Sequence, residues 1–196
     1  MKLFIDPYRK GDWCETLTNR VFWPIDPRPE DFCIEDIAGG LAKESRFAGQ
    51  IPIMFTVAQH CNNMTNWAIN NCLEWDVVHA MHLHDLSEAY IRDIPRPTKR
   101  HLSNYVEIEQ AIMAAGLTRW RLPVELPAIV KEIDSRILLT EGLAFGRTVE
   151  QWKGFDGLEP LPAEGLDLDE EMDWRVTQLR FMSLHRYICA QRGVEP

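Results

Sequence analysis

The stretch from His84 to Lys99, HDLSEAYIRDIPRPTK, constrains this chain more than any other. It ends an apolar segment with helical spacing (Trp75, Val78, Met81, Leu86, Ala89) and adds His84, Asp85, Glu88, Asp93 and Lys99 within sixteen residues. A packing helix has no use for such a collection of acids beside a histidine, because each costs free energy to bury without a partner. The spacing predicts one helix over 76–90. His84 and Glu88 are four apart and Asp85 and Glu88 three apart, so all three project from one side of it within a turn. Pro95 and Pro97 then stop the helix, since neither can donate to the backbone ladder.

The rest of the chain reads as further helices. Apolar periodicity opens at Ile34 and closes near the turn at 45–49, and a second run covers Phe55 to Leu73, with Thr56 as N-cap and His60 in its first turns. Further helices are expected from His101 to Leu117, from Glu125 to about Phe145, and from Asp167 to Ala190. The helix from Glu125 carries Lys131, Asp134 and Glu141. Residues 146–166 are rich in Gly and Pro and read as a surface loop. Thr16 to Ile25 has the β-branched and aromatic content of a strand or short hairpin, and Pro24, Pro27 and Pro29 end regular structure there. The expectation is all-α: a helical bundle of about six main helices behind a short β-rich leader. A length of 196 residues holds one full core and crowds two, so residues 1–196 are read as a single domain, its core at roughly 30–190.

A formal charge of −9 argues against duplex nucleic acid as a partner, while local cations could still grip a small phosphorylated ligand. Five widely spaced cysteines without a CxxC pair read as reduced thiols acting as small buried hydrophobes in a cytoplasmic protein. The amino terminus lacks an apolar signal region and no long uninterrupted apolar run follows, so neither export nor a membrane span is expected.

Ligand-type side chains come from three separate predicted helices: His60, the pair His84 and Asp85, and Asp134. Two imidazoles and two carboxylates suit a divalent ion such as Mn, Co, Ni, Fe or Zn, with Mg also admitted. Such an ion polarises a phosphoryl oxygen and lowers the pKa of water, the two needs of phosphate-ester hydrolysis at neutral pH. Glu88 stands where it could orient that water or take its proton. His79 and His82 are read as packing or surface residues, and Trp23, Trp67, Trp75, Trp120, Trp152 and Trp174 as core or interface.

The order His, then the His-Asp pair, then a later Asp in a helical chain resembles the HD superfamily of metal-dependent phosphohydrolases. Four segments carry the likeness in order: IEDIAGGLAKESRFAGQ, FTVAQH, HDLSEAYIRDIPRPTK and VKEIDSRILLTE, over roughly residues 15–145. They look like the prophage-type HD phosphohydrolases related to bacterial 5′-deoxynucleotidases and phage dATP triphosphohydrolases. The resemblance implies His60, His84, Asp85 and Asp134 as metal ligands, and Glu88 and Asp93 as the catalytic and supporting acids. It also implies that Arg46 is aimed at the substrate phosphate and that Lys99 and Lys131 hold phosphates; Phe47, next to Arg46, is close enough to touch a bound sugar or base. QIPIMFTVAQH and HAMHL depart from the family's usual surroundings and leave substrate preference open. The activity implied is hydrolysis of (deoxy)nucleotide 5′-phosphates, with dNTP triphosphohydrolysis as the alternative, a cyclic or alarmone nucleotide as another substrate, and a silent nucleotide sensor as the rival class. A homo-oligomer in the cytoplasm, the host's if the gene is a phage's, is expected by the same resemblance.

Overall fold

The computed structural model describes residues 5–168 and 172–196. The protein is all-α apart from a small leader, in which β1 (Cys14–Glu15) and β2 (Val21–Phe22) pair antiparallel with Cys14 opposite Phe22. The hairpin expected over 16–25 is present but lies earlier, its first strand at Cys14–Glu15 and residues 16–20 forming its turn. Phe22 anchors it in the core by stacking on Tyr90 at 3.9 Å.

Among the described residues eight α-helices follow, six of them eight residues or longer: α1 (Ile34–Leu41), α2 (Val57–Asn70), α3 (Trp75–His82), α4 (Glu88–Ile91), α5 (Arg96–Lys99), α6 (Tyr105–Arg119), α7 (Ala128–Ala144) and α8 (Trp174–Arg192). Helix α2 is central and packs against α3, α7 and α8. Thr56 caps it as expected, its hydroxyl accepting from the Gln59 backbone N–H while the Gln59 side chain accepts from the Thr56 N–H. The core side chains Ile37, Leu41, Met64, Met81, Leu86 and Phe181 are fully buried. Each contributes about 1.5–3 kcal/mol of burial free energy, so Met64→Ala would open a cavity at the centre of the bundle.

The expected helix over 76–90 is two helices. The last α-type bond runs from the Leu83 N–H to the His79 carbonyl, and then the chain tightens, with Leu86 bonding to Leu83 and Glu88 to Asp85 over three residues. Three-residue spacing puts Leu83 and Leu86 both in the core, and His84 Nδ1 bonds to the Met81 carbonyl at 2.8 Å. His84 and Asp85 therefore sit in a turn between α3 and α4, not on a continuous helix face.

Other boundaries move for local reasons. Asn104, at φ 70°, breaks the helix expected from His101, so α6 starts at Tyr105. Extended backbone at Pro127 delays α7 to Ala128. Helix α8 starts at Trp174 rather than Asp167, with the Asp173 carboxylate accepting from the Arg175 N–H at 2.7 Å; residues 169–171 of that expectation lie outside the described residues. Cys61 and Cys189 are buried as expected, whereas Cys14 and Cys72 are exposed. Among the described residues, no helix is long and apolar enough to cross a membrane.

Helix α4 is held close to α1. A Cβ at Gly40 would come within 2.8 Å of the Ala89 backbone, so only glycine permits this approach. Helix α4 begins with Glu88 and directly follows the His84–Asp85 turn, so this contact sets the height of the site above the core.

Candidate metal centre

Four donor atoms meet where α2, the α3–α4 turn and α7 converge. The His60 Nε2 lies 3.2 Å from His84 Nε2, 3.2 Å from Asp134 Oδ1 and 3.8 Å from Asp85 Oδ2. His84 Nε2 lies 3.2 Å from Asp85 Oδ2 and 3.8 Å from Asp134 Oδ1. His60 and His84 are almost wholly buried, while the Asp85 and Asp134 side chains keep 19% and 21% of their surface open.

These residues could hold a divalent ion. Donors bound to one ion at about 2.0–2.2 Å stand roughly 3.0–3.5 Å apart, close to the separations found here. The remaining ring nitrogens are tied off: His60 Nδ1 to Glu141 Oε1 at 2.7 Å, and His84 Nδ1 to the Met81 carbonyl. A proton held on each Nδ1 leaves both Nε2 lone pairs facing the carboxylate oxygens, the arrangement that second-shell acceptors impose on metal-binding histidines. Without a cation, two lone pairs 3.2 Å apart need a proton between them. Burial disfavours charge on both rings, yet the neighbouring carboxylates more than compensate. Glu141 and Asp134 raise His60, and Asp85 and Asp134 hold His84 well above the usual imidazole range. Asp134 is correspondingly held well below the usual carboxylate range by the two rings, against the effect of its burial.

Glu141 completes the arrangement. It is fully buried on α7, two turns after Asp134 on the same face, and its second oxygen lies 3.1 Å from Arg46 Nε. The Asp134-to-Glu141 interval of two helical turns carried this signal in the sequence, although Glu141 bears none of the roles expected there. Arg46 is buried, 3.6 Å from Asp85 through Nη1, and stays charged because Glu141 and Asp85 outweigh its desolvation. It is followed by Phe47 and Ala48 at φ 55° and 51°, a left-handed turn that non-glycine residues seldom adopt.

The centre opens into a cavity of about 830 Å3. Asp85 and Asp134 line it, with Glu88, Asp93, Arg46, Phe47 and Lys99. Glu88 is 9% exposed, and its Oε2 has no hydrogen-bond partner. Burial first, and then Asp85 and Asp93, push its carboxyl well above the ordinary glutamate range. Asp93 is raised too, chiefly by burial. The preceding residue, Arg92, has φ 74° and pairs with Glu44 at 2.6 Å, a strained corner that turns the chain towards the cavity. Lys99 reaches the cavity, but its ammonium is paired to Glu109 at 2.5 Å. Lys131 is exposed on α7 and does not line the cavity.

A second donor cluster, His79, His185 and Cys189, has a different character. Arg192 donates to His79 Nδ1 at 2.6 Å, so His79 Nε2 carries a proton for His185 Nδ1, and His185 Nε2 carries one for the Cys189 sulfur. Burial pushes His79 down to about 2 and His185 down to about 3, which keeps both neutral. The ring nitrogens are spent on this chain, and the guanidinium beside them repels a cation. His82, stacked on Phe181 at 4.0 Å and bonded to Thr65, is likewise a packing residue.

Two known proteins are similar to this chain. The uncharacterized protein YfdR of Escherichia coli (strain K12) is 30% identical over 152 residues, 76% of this chain and 80% of its own length. The chain belongs to the YfdR family. The uncharacterized protein RCAP_rcc00048 of Rhodobacter capsulatus is a further relative, 32% identical over 159 residues, 76% of this chain and 78% of its own. No family model matches the chain. In this member of the YfdR family His60, His84 and Asp134 form one possible donor group and Cys61, His84 and Asp85 an overlapping one, with Glu141 and Arg46 behind them.

Proposed function

We propose that this protein is an HD-type metal-dependent phosphohydrolase acting on (deoxy)nucleotide 5′-phosphates. One observation carries the reading. The Nε2 atoms of His60 and His84, each with its Nδ1 bonded elsewhere, face each other and the Asp85 and Asp134 oxygens at the floor of a cavity that Arg46 and Lys99 also line. His60, His84, Asp85 and Asp134 would hold the ion, which supplies a Lewis acid for a phosphoryl oxygen and lowers the pKa of water.

The chain's own side chains account for the rest. Arg46 presents a permanent charge to the phosphate from a position locked by Glu141. Glu88, whose carboxyl burial and acidic neighbours push well above the ordinary glutamate range, stands at the cavity wall where it could give a proton to a leaving oxygen or, once ionised, accept one from water. Asp93 maintains the negative field that keeps the Glu88 proton in place. A module that only binds nucleotide has no need of an acid placed to handle the proton of an activated water, which favours the enzyme over the sensor.

The test is a screen of protein loaded with Mn or Co against nucleoside mono-, di- and triphosphates, with products separated by chromatography and a chelated control. Hydrolysis that disappears with chelator and returns with the ion is the expected result. Turnover unchanged by excess chelator, or no turnover of any nucleotide, would overturn the proposal.

A further inference from the structure

Part of the cavity wall comes from the segment after α7, where the sequence reads only as loop. Trp152 and Phe155 line the cavity there, and both are half-buried. They end a relay of rings: Phe145 to Phe47 at 5.9 Å, Phe47 to Trp152 at 6.3 Å, and Trp152 to Phe155 at 6.0 Å. The inner end is rooted in a small apolar cluster with Phe55 and Leu168. The indole rests against Gly142, where a Cβ would come within 2.7 Å of the ring, so its place is set by α7, the helix that carries Asp134. At the outer end the Arg96 guanidinium lies 4.9 Å over the Phe155 ring.

The charge of the same cavity runs against that of the chain. Its lining includes Arg46, Arg96, Lys99, Arg100, Arg147 and Lys153, in a protein of net charge −9. Arg46, Arg96 and Lys99 are paired with Asp85, Asp134 and Glu109. Among the described residues, Arg100, Arg147 and Lys153 have no carboxylate at ion-pair distance. Arg147 and Lys153 are exposed at the border of the same cavity, so a longer phosphate chain over the metal donors would meet positive charge beyond its first phosphate.

We propose that the segment 147–155 is the specificity-determining wall of the cavity: Trp152 and Phe155 stack the planar base of a nucleotide carrying more than one phosphate, and Arg147 and Lys153 hold its outer phosphates. The inference rests on the phosphohydrolase reading above and adds the residues that choose the ligand. Stacking on a rigid, half-buried ring favours any base, and base–aromatic contacts of this kind are worth about tenfold or more in affinity.

The test is calorimetric binding to the Mn-loaded Glu88→Ala protein, which should bind nucleotide with turnover about a hundredfold lower and serves as wild type for the wall, with dATP, dAMP and inorganic tripolyphosphate as probes. Trp152→Leu and Phe155→Leu should each weaken dATP by about tenfold and leave tripolyphosphate within about twofold. Trp152→Phe keeps a ring and should stay within about threefold of the original for dATP, which separates loss of stacking from loss of fold. The double change Arg147→Ala with Lys153→Ala should weaken dATP and tripolyphosphate by about tenfold and dAMP by less than about twofold. Unchanged dATP binding in both leucine variants, equal losses for dATP and tripolyphosphate in them, or no binding of any probe to the wild type overturns the wall. If the wall fails while the Mn-loaded protein hydrolyses nucleotides, the phosphohydrolase reading stands; if no nucleotide is hydrolysed, that reading falls as well.

Discussion

Replacing Glu141 by Gln tests the reasoning at its most buried point. The carboxylate serves two positive or proton-bearing partners, His60 Nδ1 at 2.7 Å and Arg46 Nε at 3.1 Å, with no exposure to water. A glutamine of the same shape has one oxygen and one NH2 group, so it can satisfy only one of them. With its oxygen on His60, the NH2 faces the guanidinium; with its oxygen on Arg46, the NH2 faces His60 Nδ1 and forces the ring proton onto Nε2, where it blocks the metal. Arg46 is left buried with only Asp85, at 3.6 Å. Removing one partner of a buried pair costs about 3–5 kcal/mol. For a chain of this length that is a fall of about 10 °C in melting temperature. Loss of the Glu141 bond that orients the His60 ring weakens metal by about 10–100-fold, roughly 1.4–2.7 kcal/mol. Denaturant unfolding in chelator measures the first effect, and a Co titration followed by absorbance or calorimetry measures the second. Wild-type stability in chelator would show that the Glu141–Arg46 pair does not stabilise the fold, and an unchanged Co affinity would show that His60 does not depend on Glu141.

Glu88→Ala should retain its ion by elemental analysis and still bind nucleotide, while turnover drops by about a hundredfold, the scale of losing a general acid or base; turnover near wild type would remove Glu88 from the chemistry. The stabilisation that Mn confers, measured as the difference between melting temperatures with ion and with chelator, should grow as pH rises. His60 and His84 have raised pKa values, so protons compete with the ion from above the ordinary imidazole range downwards, and the apo protein loses the stability of their protonated pairs as pH rises through that range. A difference that is flat with pH would contradict the ring assignments. Ala48→Gly should stabilise the protein: relief of the left-handed backbone at φ 51° gives about 1–2 kcal/mol and added freedom in the unfolded chain takes back about 0.4–1, so denaturant unfolding should shift by about 0.5–1 kcal/mol. A decrease would mean that the exposed Ala48 methyl makes a contact worth more than the strain.

The helices are legible because apolar residues recur at their period and because Thr56 marks a start in chemistry that acts locally; Pro95 and Pro97, expected as a stop, instead open α5, and the preceding helix ends at Ile91 on the left-handed Arg92. The helix drawn through His84 was wrong for a tertiary reason: seating Leu83 and Leu86 together in the core tightens the backbone, and no local rule encodes that demand. His60, His84, Asp85 and Asp134 were nameable as a set and do meet at one point. Lys131 was named with them, but being on the same helix as Asp134 did not bring it to the cavity. Trp152 was read as a core or interface residue. It lines the cavity instead, because its place depends on a notch at Gly142 and on loop closure, neither of which leaves a periodic trace.

The contact between Gly40 and Ala89 has a consequence for how such a site can change over generations. Helices that meet with no room for a methyl group cannot slide past one another, so the level at which Glu88 and the His84–Asp85 turn stand is not adjustable by small substitutions nearby. Variation in the cavity has more freedom on its far border, where Arg147, Thr148, Glu150, Gln151 and Lys153 are exposed while Trp152 stays fixed against Gly142.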